Sequence, residues 1–409
     1  MGLSDPSAPE QSYRYHLAIF ALFLIVFHTA VALTVDLNRP EWGDEIHFVR
    51  TARQFGQEAW SLERLQHYEE MSGPLPFMAY GVWGRLCGFE LPRLRLFSIL
   101  VALATYLLYH RLLYSLFHSG RAAFLIAAFL VINPYMIGLS VFVFTDMLPM
   151  LFMLAALCAI RARRPVSFGV ALACALISRQ YYAFFAGAAM LYFLLLYRQD
   201  RDRDVLRMFV ASVFACVPLL LLVVLWGGPS PDSPFKEDFL FEGFSYHPEF
   251  WLVYVFAFLV YLLPFVVLKW KPIYSNRKIV LGCFLCCWIY WLAPIQPAAA
   301  AAGSRYDTVG LFHRLLKKVF SSTALEQTML FLAFALGLPV LVFIARDAWE
   351  RGKDRRIDLP LLLDLSILTF FLIMPFSYLN WEKYILPLVP LGSIRLALLG
   401  SASAEPDQS

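Results

Sequence analysis

The feature that most constrains this chain is a series of long apolar runs, which recur from near residue 17 to near residue 399. Most of them are long enough to cross the hydrocarbon core of a bilayer as a helix. Lipid offers the backbone no hydrogen-bond partners, so such segments must satisfy their amides internally. Because 60% of the 409 residues are hydrophobic and 16% are charged, a soluble globular surface is excluded. We therefore predict an all-α integral membrane protein.

The runs predict about twelve transmembrane helices. They lie at 17–35, 94–117, 122–138, 142–160, 165–179, 181–197, 207–227, 249–268, 279–297, 326–345, 359–376 and 383–399. Four clusters of Arg and Lys, at 161–164, 198–207, 269–278 and 346–356, are expected on the cytoplasmic face, together with the N-terminus. The long polar loop 36–93 then lies on the outer face, with smaller loops at 228–248 and 298–325.

We expect residues 1–400 to form a single polytopic membrane domain and residues 401–409 to be a disordered tail. The first run is long enough to span and lacks an obvious small-residue cleavage site, which argues against a cleavable signal. The net charge of +4 is not gathered into a basic stripe, so no nucleic-acid partner is expected.

The cysteines indicate neither a disulfide framework nor a metal centre. Six of the seven lie in apolar runs, and Cys283-x-x-Cys286-Cys287 lacks a second pair of ligands nearby, so we interpret them as structural. No metal or other cofactor is required. A divalent cation is compatible with the sequence only if Asp44, His47 and Asp146 converge.

The polar loop after the first run begins with an acidic motif, Glu41-Trp42-Gly43-Asp44-Glu45-Ile46-His47. From Asp44 to Gln57 the spacing of Ile46, Val49, Ala52 and Phe55 predicts an amphipathic helix along the membrane surface. Carboxylates at its start would complement the helix dipole and cap free amides. A cap needs one acidic residue, however, and here there are two.

The functional interpretation makes Asp44 a general base at the boundary between water and lipid. Adjacent helical residues point about 100° apart, so only one of the two carboxylates faces a given cavity, and His47 comes within reach of Asp44 one turn later. Glu45 then acts as a support or as a second carboxylate.

Asp146 and Arg179 are charged residues in strongly apolar surroundings, which usually indicates a function. Our topology brings Asp146 to the outer end of its helix, where it opens into the compartment of Asp44; the alternative is a helix N-cap by Thr145 or Asp146. Arg179, followed by Gln180, stands at the outer boundary and either snorkels to headgroups or pairs with an anion.

Further cations are expected on the outer side. Arg305 lies in the loop 298–325, and the pattern of His313, Arg314, Lys317 and Lys318 with Leu311, Leu315 and Phe320 predicts a surface helix that contacts anionic headgroups. Lys383, beside Tyr384 at the start of the last helix, is either an interface anchor or a phosphate ligand.

Gly43–Glu45, Thr145–Met150 and Glu382–Pro387 together resemble motifs of the GT-C superfamily of integral-membrane glycosyltransferases. Asp44–His47, the Thr145–Asp146 helix and Arg179–Gln180 are similar, in order and approximate spacing, to the dolichyl-phosphate-glucose α-1,2-glucosyltransferase family. The resemblance implies a polyprenyl- or dolichyl-phosphate sugar as donor, inversion at the anomeric carbon, and a lipid-linked glycan, other lipid or protein as acceptor.

The chemistry of such a transfer matches the residues. The enzyme must deprotonate an acceptor hydroxyl and offset charge on the departing phosphate. We expect Asp44, Glu45 and Asp146 as catalytic candidates and Arg179, Arg305 and Lys383 as phosphate ligands, with His47, Gln180 and Tyr384 nearby. A bacterial inner membrane is the expected location and an endoplasmic reticulum membrane the alternative.

Two other classes stay open from the sequence. A transporter of about twelve helices would use Asp146 and Arg179 as an intramembrane ion pair. A transporter built from two repeats should, however, show two similar halves, whereas here most polar residues outside the apolar runs lie in one loop and no repeated half is evident. A lipid-scrambling or structural membrane subunit would give Asp44 no function.

Overall fold

The computed structural model describes residues 8–231, 245–297, 307–320 and 322–399, and every regular element within these ranges is helical. The α-helices are α1 (Ala8–Val35), α2 (Glu45–Gln57), α3 (Leu62–Gln66), α4 (Leu75–Cys87), α5 (Leu91–Phe117), α6 (Gly120–Val131), α7 (Pro134–Val141), α8 (Met147–Arg161), α9 (Pro165–Ser178), α10 (Ala183–Asp200), α11 (Arg203–Ala215), α12 (Val217–Trp226), α13 (Phe250–Leu268), α14 (Trp270–Tyr274), α15 (Arg277–Cys286), α16 (Leu311–Val319), α17 (Thr323–Lys353), α18 (Leu359–Ile373) and α19 (Leu388–Ala397). Short 3-10 helices cover Gln180–Tyr182, Cys287–Leu292, Met374–Phe376 and Glu382–Ile385. The predicted all-α class is confirmed.

The helices give the chain a multi-pass membrane character. Within the described ranges, seven are long and apolar enough to cross a bilayer: Tyr13–Val35, Leu91–Phe117, Gln180–Asp200, Arg203–Trp226, Phe250–Leu268, Thr323–Lys353 and Leu359–Phe376. The pair α6 and α7, bent by 73° at the Asn133–Pro134 break, is an eighth if it forms one span. Of the remaining predicted spans, 142–160, 165–179 and 383–399 overlap the shorter apolar helices α8, α9 and α19, whereas 279–297 is broken into α15 and the 3-10 helix Cys287–Leu292.

The chain forms two compact units, which are described separately. The first comprises Met1–Tyr182 and Val210–Phe235, and the second comprises Ala183–Phe209 and Lys236–Ser409. The acidic motif and its companions Asp146 and Arg179 belong to the first unit, whereas Lys383 and Tyr384 belong to the second. The expectation of a single membrane domain stays a prediction.

In the first unit the polar loop is an ordered helical layer. Helix α2 packs against α4, and its buried face contains Phe48, Val49, Ala52 and Phe55. The predicted helix and the shared face of Val49, Ala52 and Phe55 are confirmed, but Ile46 is exposed. At 100° per residue Ile46 lies about 130° from the centre of the buried face, so it points away from α4. The position of the helix along the membrane surface stays a prediction.

In the second unit a buried ion-pair network joins the long helices. Arg395 on α19 is 1% exposed and its Nε donates to Asp364 Oδ1 on α18 at 2.6 Å. The same guanidinium also donates to Asp347 on α17, and Arg351 Nε donates to Asp347 Oδ2 at 2.6 Å. Charged side chains buried in the protein interior require partners of opposite charge, so the network fixes α17, α18 and α19 relative to one another.

Candidate active site

A fully buried salt bridge fixes the start of the acidic motif. Arg95, near the start of α5, donates from Nε to Glu45 Oε1 at 2.9 Å and from Nη2 to Glu45 Oε2 at 2.6 Å. Both side chains are 0% exposed. A two-point contact of this kind sets the orientation of both groups as well as their distance.

The remaining Arg95 donors hold the segment that leads into α2. Nη1 donates to the carbonyl oxygens of Leu37 and Arg39, both at 2.8 Å, and Nη2 donates to that of Pro40 at 3.3 Å. The guanidinium carbon lies 5.3 Å from the centroid of the Phe142 ring. One cation thus ties the α1–α2 connection to α5.

Glu45 accepts two further backbone hydrogen bonds, which account for its burial. The Val143 N–H donates to Oε1 at 3.0 Å and the Trp42 N–H donates to Oε2 at 3.2 Å. A buried carboxylate with four donors has little capacity left for a reacting molecule. Of the two roles open from the sequence, support of the loop therefore fits Glu45.

Asp44 immediately precedes Glu45, whose salt bridge with Arg95 we call the clamp, and it stands in the N-cap position of α2. Its backbone is helical, with φ −62° and ψ −18°, and its side chain makes no capping hydrogen bond. The capping interpretation of Asp44 is therefore wrong, because a capping residue needs an extended backbone to turn its oxygen onto the helix amides. Gly43 before it has φ +60°, a left-handed conformation that a side chain would strain. Asp44 is partly exposed at the start of a rigidly held helix.

His47, one turn after Asp44, pairs with a carboxylate that the sequence did not single out. Its Nδ1 lies 2.7 Å from Glu70 Oε1, and Thr51 Oγ1 donates to the same oxygen at 3.3 Å. Glu70 is 3% exposed, and burial raises its pKa, opposed by hydrogen bonds from His47 and Thr51 and by the charge of Arg179. The sequence signal was the acidic pair Glu69-Glu70 just before the Gly73-Pro74 break.

Asp146 and Arg179 form the ion pair that the sequence left open. Arg179 Nη2 donates to Asp146 Oδ2 at 3.1 Å and to Thr145 Oγ1 at 2.6 Å. Asp146 stands in the N-cap position of α8 with a helical backbone and no capping hydrogen bond, so its capping interpretation is wrong. The Arg179 charge is already matched by a carboxylate, and a phosphate there would compete with Asp146.

A close backbone contact joins the loop that contains Glu70 to the end of α9, next to Arg179. A Cβ on Gly73 would lie 2.0 Å from the carbonyl oxygen of Ile177 on α9, so only glycine permits this approach. Gln180 strengthens the junction, because its Nε2 donates to the carbonyl oxygens of Met71 at 2.9 Å and Pro229 at 3.2 Å. Gln180 is thus a positioning residue for the loop.

We call Asp44, His47, Glu70, Asp146 and Arg179 the acidic-loop site: His47 contacts Glu70, Asp146 contacts Arg179, and Asp44 stands one turn before His47. It offers three carboxylates, one imidazole and one guanidinium, a set suited to taking up or holding a proton. Among the described residues there is no group of three or more His, Cys, Asp or Glu side chains placed to hold a metal ion. All seven cysteines are free thiols.

Two of the remaining predicted site residues belong to the second unit, and one lies outside the described residues. Lys383 and Tyr384 belong to the 3-10 helix Glu382–Ile385 of the second unit, where Lys383 is partly exposed and Tyr384 is buried. Arg305 lies outside the described residues. Their assignment as phosphate ligands or neighbours stays a prediction.

Comparison with known proteins yields only distant likenesses. No family model matches the chain, and no curated protein matches it. ArnT from Cupriavidus metallidurans in the apo state is 17% identical with a TM-score of 0.39, covering 92% of this chain and 75% of that chain. ArnT bound to undecaprenyl phosphate is 14% identical with a TM-score of 0.41, covering 92% and 77%. At TM-scores below 0.5 these likenesses carry no argument about this chain.

Proposed function

We propose that this chain is a GT-C-type membrane glycosyltransferase. It transfers a hexose, with glucose as the leading candidate, from a polyprenyl- or dolichyl-phosphate sugar to an acceptor hydroxyl on the outer or lumenal face. The observation that carries the proposal is the different environment of the two adjacent carboxylates in the acidic motif. Glu45 is buried in a salt bridge with Arg95, whereas Asp44 is partly exposed and does not cap α2. The motif resemblance described from the sequence supplies the reaction class.

In the proposed reaction Asp44 takes the proton of the acceptor hydroxyl. The acceptor oxygen forms a bond to the anomeric carbon as the bond from that carbon to the phosphate oxygen breaks, and the leaving phosphate keeps the electron pair. Attack opposite the leaving group inverts the anomeric centre. No metal-dependent step is needed, because a lipid phosphate is a good leaving group once its charge is offset by nearby cations.

The other residues orient or hold protons. Glu70 fixes the His47 imidazole through Nδ1, at 2.7 Å, which directs the rest of the ring away from the carboxylate. Arg179 contributes positive charge and is paired with Asp146, and Arg305 and Lys383 are further proposed ligands of the donor phosphate. The proposed partners are the lipid-linked donor, a lipid-linked glycan, other lipid or protein acceptor, and membrane lipids, in a bacterial inner membrane with the endoplasmic reticulum as alternative.

The test uses the purified full chain in lipid nanodiscs with radiolabelled polyprenyl-phosphate sugars and a panel of acceptors. Wild-type protein should transfer sugar, and Asp44→Asn should not. Glu41→Gln is the matched control, since Glu41 stands three residues earlier and its ion pair with Arg53 is long, at 3.9 Å. Equal transfer by wild type and Asp44→Asn would remove Asp44 from the reaction.

The transporter remains the second candidate, because the Asp146–Arg179 ion pair that it requires is present. The two candidates separate in proteoliposomes. A transporter should carry labelled solute across the bilayer and lose that flux in Asp146→Asn, whereas the transferase should give a glycosylated product and no flux.

A further inference from the structure

Helix α16 (Leu311–Val319) exposes an apolar edge in the second unit. His313 and Leu316 are buried against the rest of the unit, whereas Leu311, Leu315 and Val319 are exposed. These three residues are spaced four apart, so they form a stripe along one side of the helix. An exposed stripe of this kind usually marks a contact surface.

Basic side chains flank the stripe. Arg314, Lys317 and Lys318 are all exposed, and α16 itself contains no acidic residue. Lys317 Nζ donates to Asp307 Oδ2 at 2.7 Å, and this contact lowers the pKa of Asp307. The segment therefore keeps a net positive charge beside its apolar edge.

Buried polar contacts fix this short helix before any partner arrives. Nine residues are too few for a stable isolated helix. The Glu382 carboxylate accepts from the N–H groups of Phe312 at 2.9 Å and His313 at 2.8 Å, and from the Tyr261 hydroxyl at 2.8 Å. Glu382 thus takes over the capping role that Gly310 cannot perform.

The His313 side chain fastens the other side of α16. The Val309 N–H donates to His313 Nδ1 at 3.1 Å, which leaves Nε2 to carry the proton and donate to Glu326 Oε1 at 2.6 Å. Glu326 lies in the first turn of α17. The exposed stripe is therefore rigidly attached to the start of a candidate membrane span.

Two observations place α16 at the level of lipid headgroups. Only three residues separate Val319 from Thr323, where the span α17 begins, and three residues reach about 10–14 Å at most. Trp288 and Trp291 are exposed, and their rings lie 5.9 Å and 5.6 Å from that of Phe331, about two turns into α17. Exposed tryptophans at a helix end are typical of the membrane–water interface.

We propose that α16 is a preformed docking surface for an anionic phospholipid bilayer. Leu311, Leu315 and Val319 enter the interfacial region, and Arg314, Lys317 and Lys318 contact negatively charged headgroups. The occupant is the bilayer surface itself and not a single phosphate ligand, because an apolar stripe of three residues fits acyl chains and not a free anion. The proposal does not depend on the glycosyltransferase reaction.

The test follows hydrogen–deuterium exchange of the α16 amides in the full chain. Wild-type protein is compared in nanodiscs of phosphatidylglycerol and of phosphatidylcholine. Since each surface cation contributes about a fivefold preference for an anionic membrane, we expect exchange about tenfold slower or more in phosphatidylglycerol, and we expect high salt to reduce the difference.

Variants assign the effect to α16. The triple variant Arg314→Gln, Lys317→Gln, Lys318→Gln should exchange alike in both lipids. The matched control Lys271→Gln, Arg277→Gln, Lys278→Gln removes three exposed cations elsewhere and should keep the difference at α16. Loss of the difference in the control, or its persistence in the triple variant, overturns the assignment.

Two further arms identify the source of the anion. Phosphatidylcholine nanodiscs are supplied with inorganic phosphate in solution in one arm and with a trace of undecaprenyl phosphate in the other. Slowing in either arm comparable to that in phosphatidylglycerol would show a discrete phosphate site and overturn the bilayer proposal. Equal exchange of wild type in both lipids would overturn it as well, whereas slowing confined to phosphatidylglycerol supports it.

Discussion

Replacing Arg95 by Met tests the clamp that holds the acidic motif. The change removes five hydrogen bonds, two to Glu45 and three to the carbonyls of Leu37, Arg39 and Pro40, and leaves the Glu45 carboxylate buried without its cation. Removing one partner of a fully buried ion pair costs about 3–5 kcal/mol. Because both side chains are fully buried, solvent screening does not reduce this figure.

The loss should appear as easier opening of the start of α2. At about 1.4 kcal/mol per factor of ten, the opening equilibrium rises between about a hundredfold and several thousandfold. Hydrogen exchange of the α2 amides measures it directly. Sugar transfer should fall in parallel, since Asp44 loses its fixed position.

Arg93→Met is the matched control two residues earlier on α5. Its ion pair with Glu90, at 3.3 Å, is more than half exposed and contributes at most about 1 kcal/mol. The double variant Arg95→Met, Glu45→Leu should regain part of the lost stability, because no unpaired buried charge remains. The clamp argument fails if Arg95→Met opens α2 no more than Arg93→Met does, or if the double variant is less stable than Arg95→Met alone.

Three further changes test the site and its supports. Burial raises the pKa of Glu70 above its ordinary 4.5, so the stability that this group contributes is fully present below about pH 4.5 and is lost as pH rises through the raised pKa. Glu70→Gln should therefore reduce the loss of thermal stability with rising pH. An unchanged dependence of the unfolding temperature on pH would contradict this. Gly73→Ala should detach the loop that contains Gly73 from α9 and make this loop sensitive to protease. Gly138→Ala is the control, because its added methyl group meets nothing within 4 Å. Equal protease sensitivity of the two variants would refute the close contact. Glu382→Ala should speed amide exchange in α16 by at least about tenfold, because two helix N–H groups lose their acceptor, and unaltered exchange would exclude the capping role.

Much of the fold could be predicted because membrane helices follow from local composition. The apolar runs locate the helices, and the spacing of Val49, Ala52 and Phe55 correctly predicts the buried face of α2. The ion pair between Asp146 and Arg179 also follows from the presence of two opposite charges in apolar surroundings.

The assignment of Glu45 could not be predicted, because its partner lies 50 residues away in sequence. Helix geometry says only that one of two adjacent carboxylates turns inward. Which of the two carboxylates turns inward depends on the position of Arg95 on α5. In the sequence, Arg95 lies at the edge of an apolar run and is indistinguishable from an ordinary flanking cation. Glu70 was missed for the same reason, since its contact with His47 spans 23 residues.

The capping interpretations of Asp44 and Asp146 failed for a related physical reason. Both residues do stand at helix starts, as the sequence indicates, but their backbones are helical and their side chains do not cap the helix amides. Asp146 instead pairs with Arg179 from another helix. For Asp146, a long-range ion pair takes the place of the local cap.

The single-turnover rate of sugar transfer in Asp44→Asn shows whether Asp44 acts as the general base. Donor binding is measured alongside, with Glu41→Gln as control. We expect a rate at least about a hundredfold below wild type, because a general base is lost, with donor binding and the control unchanged. A rate within a few-fold of wild type would contradict it.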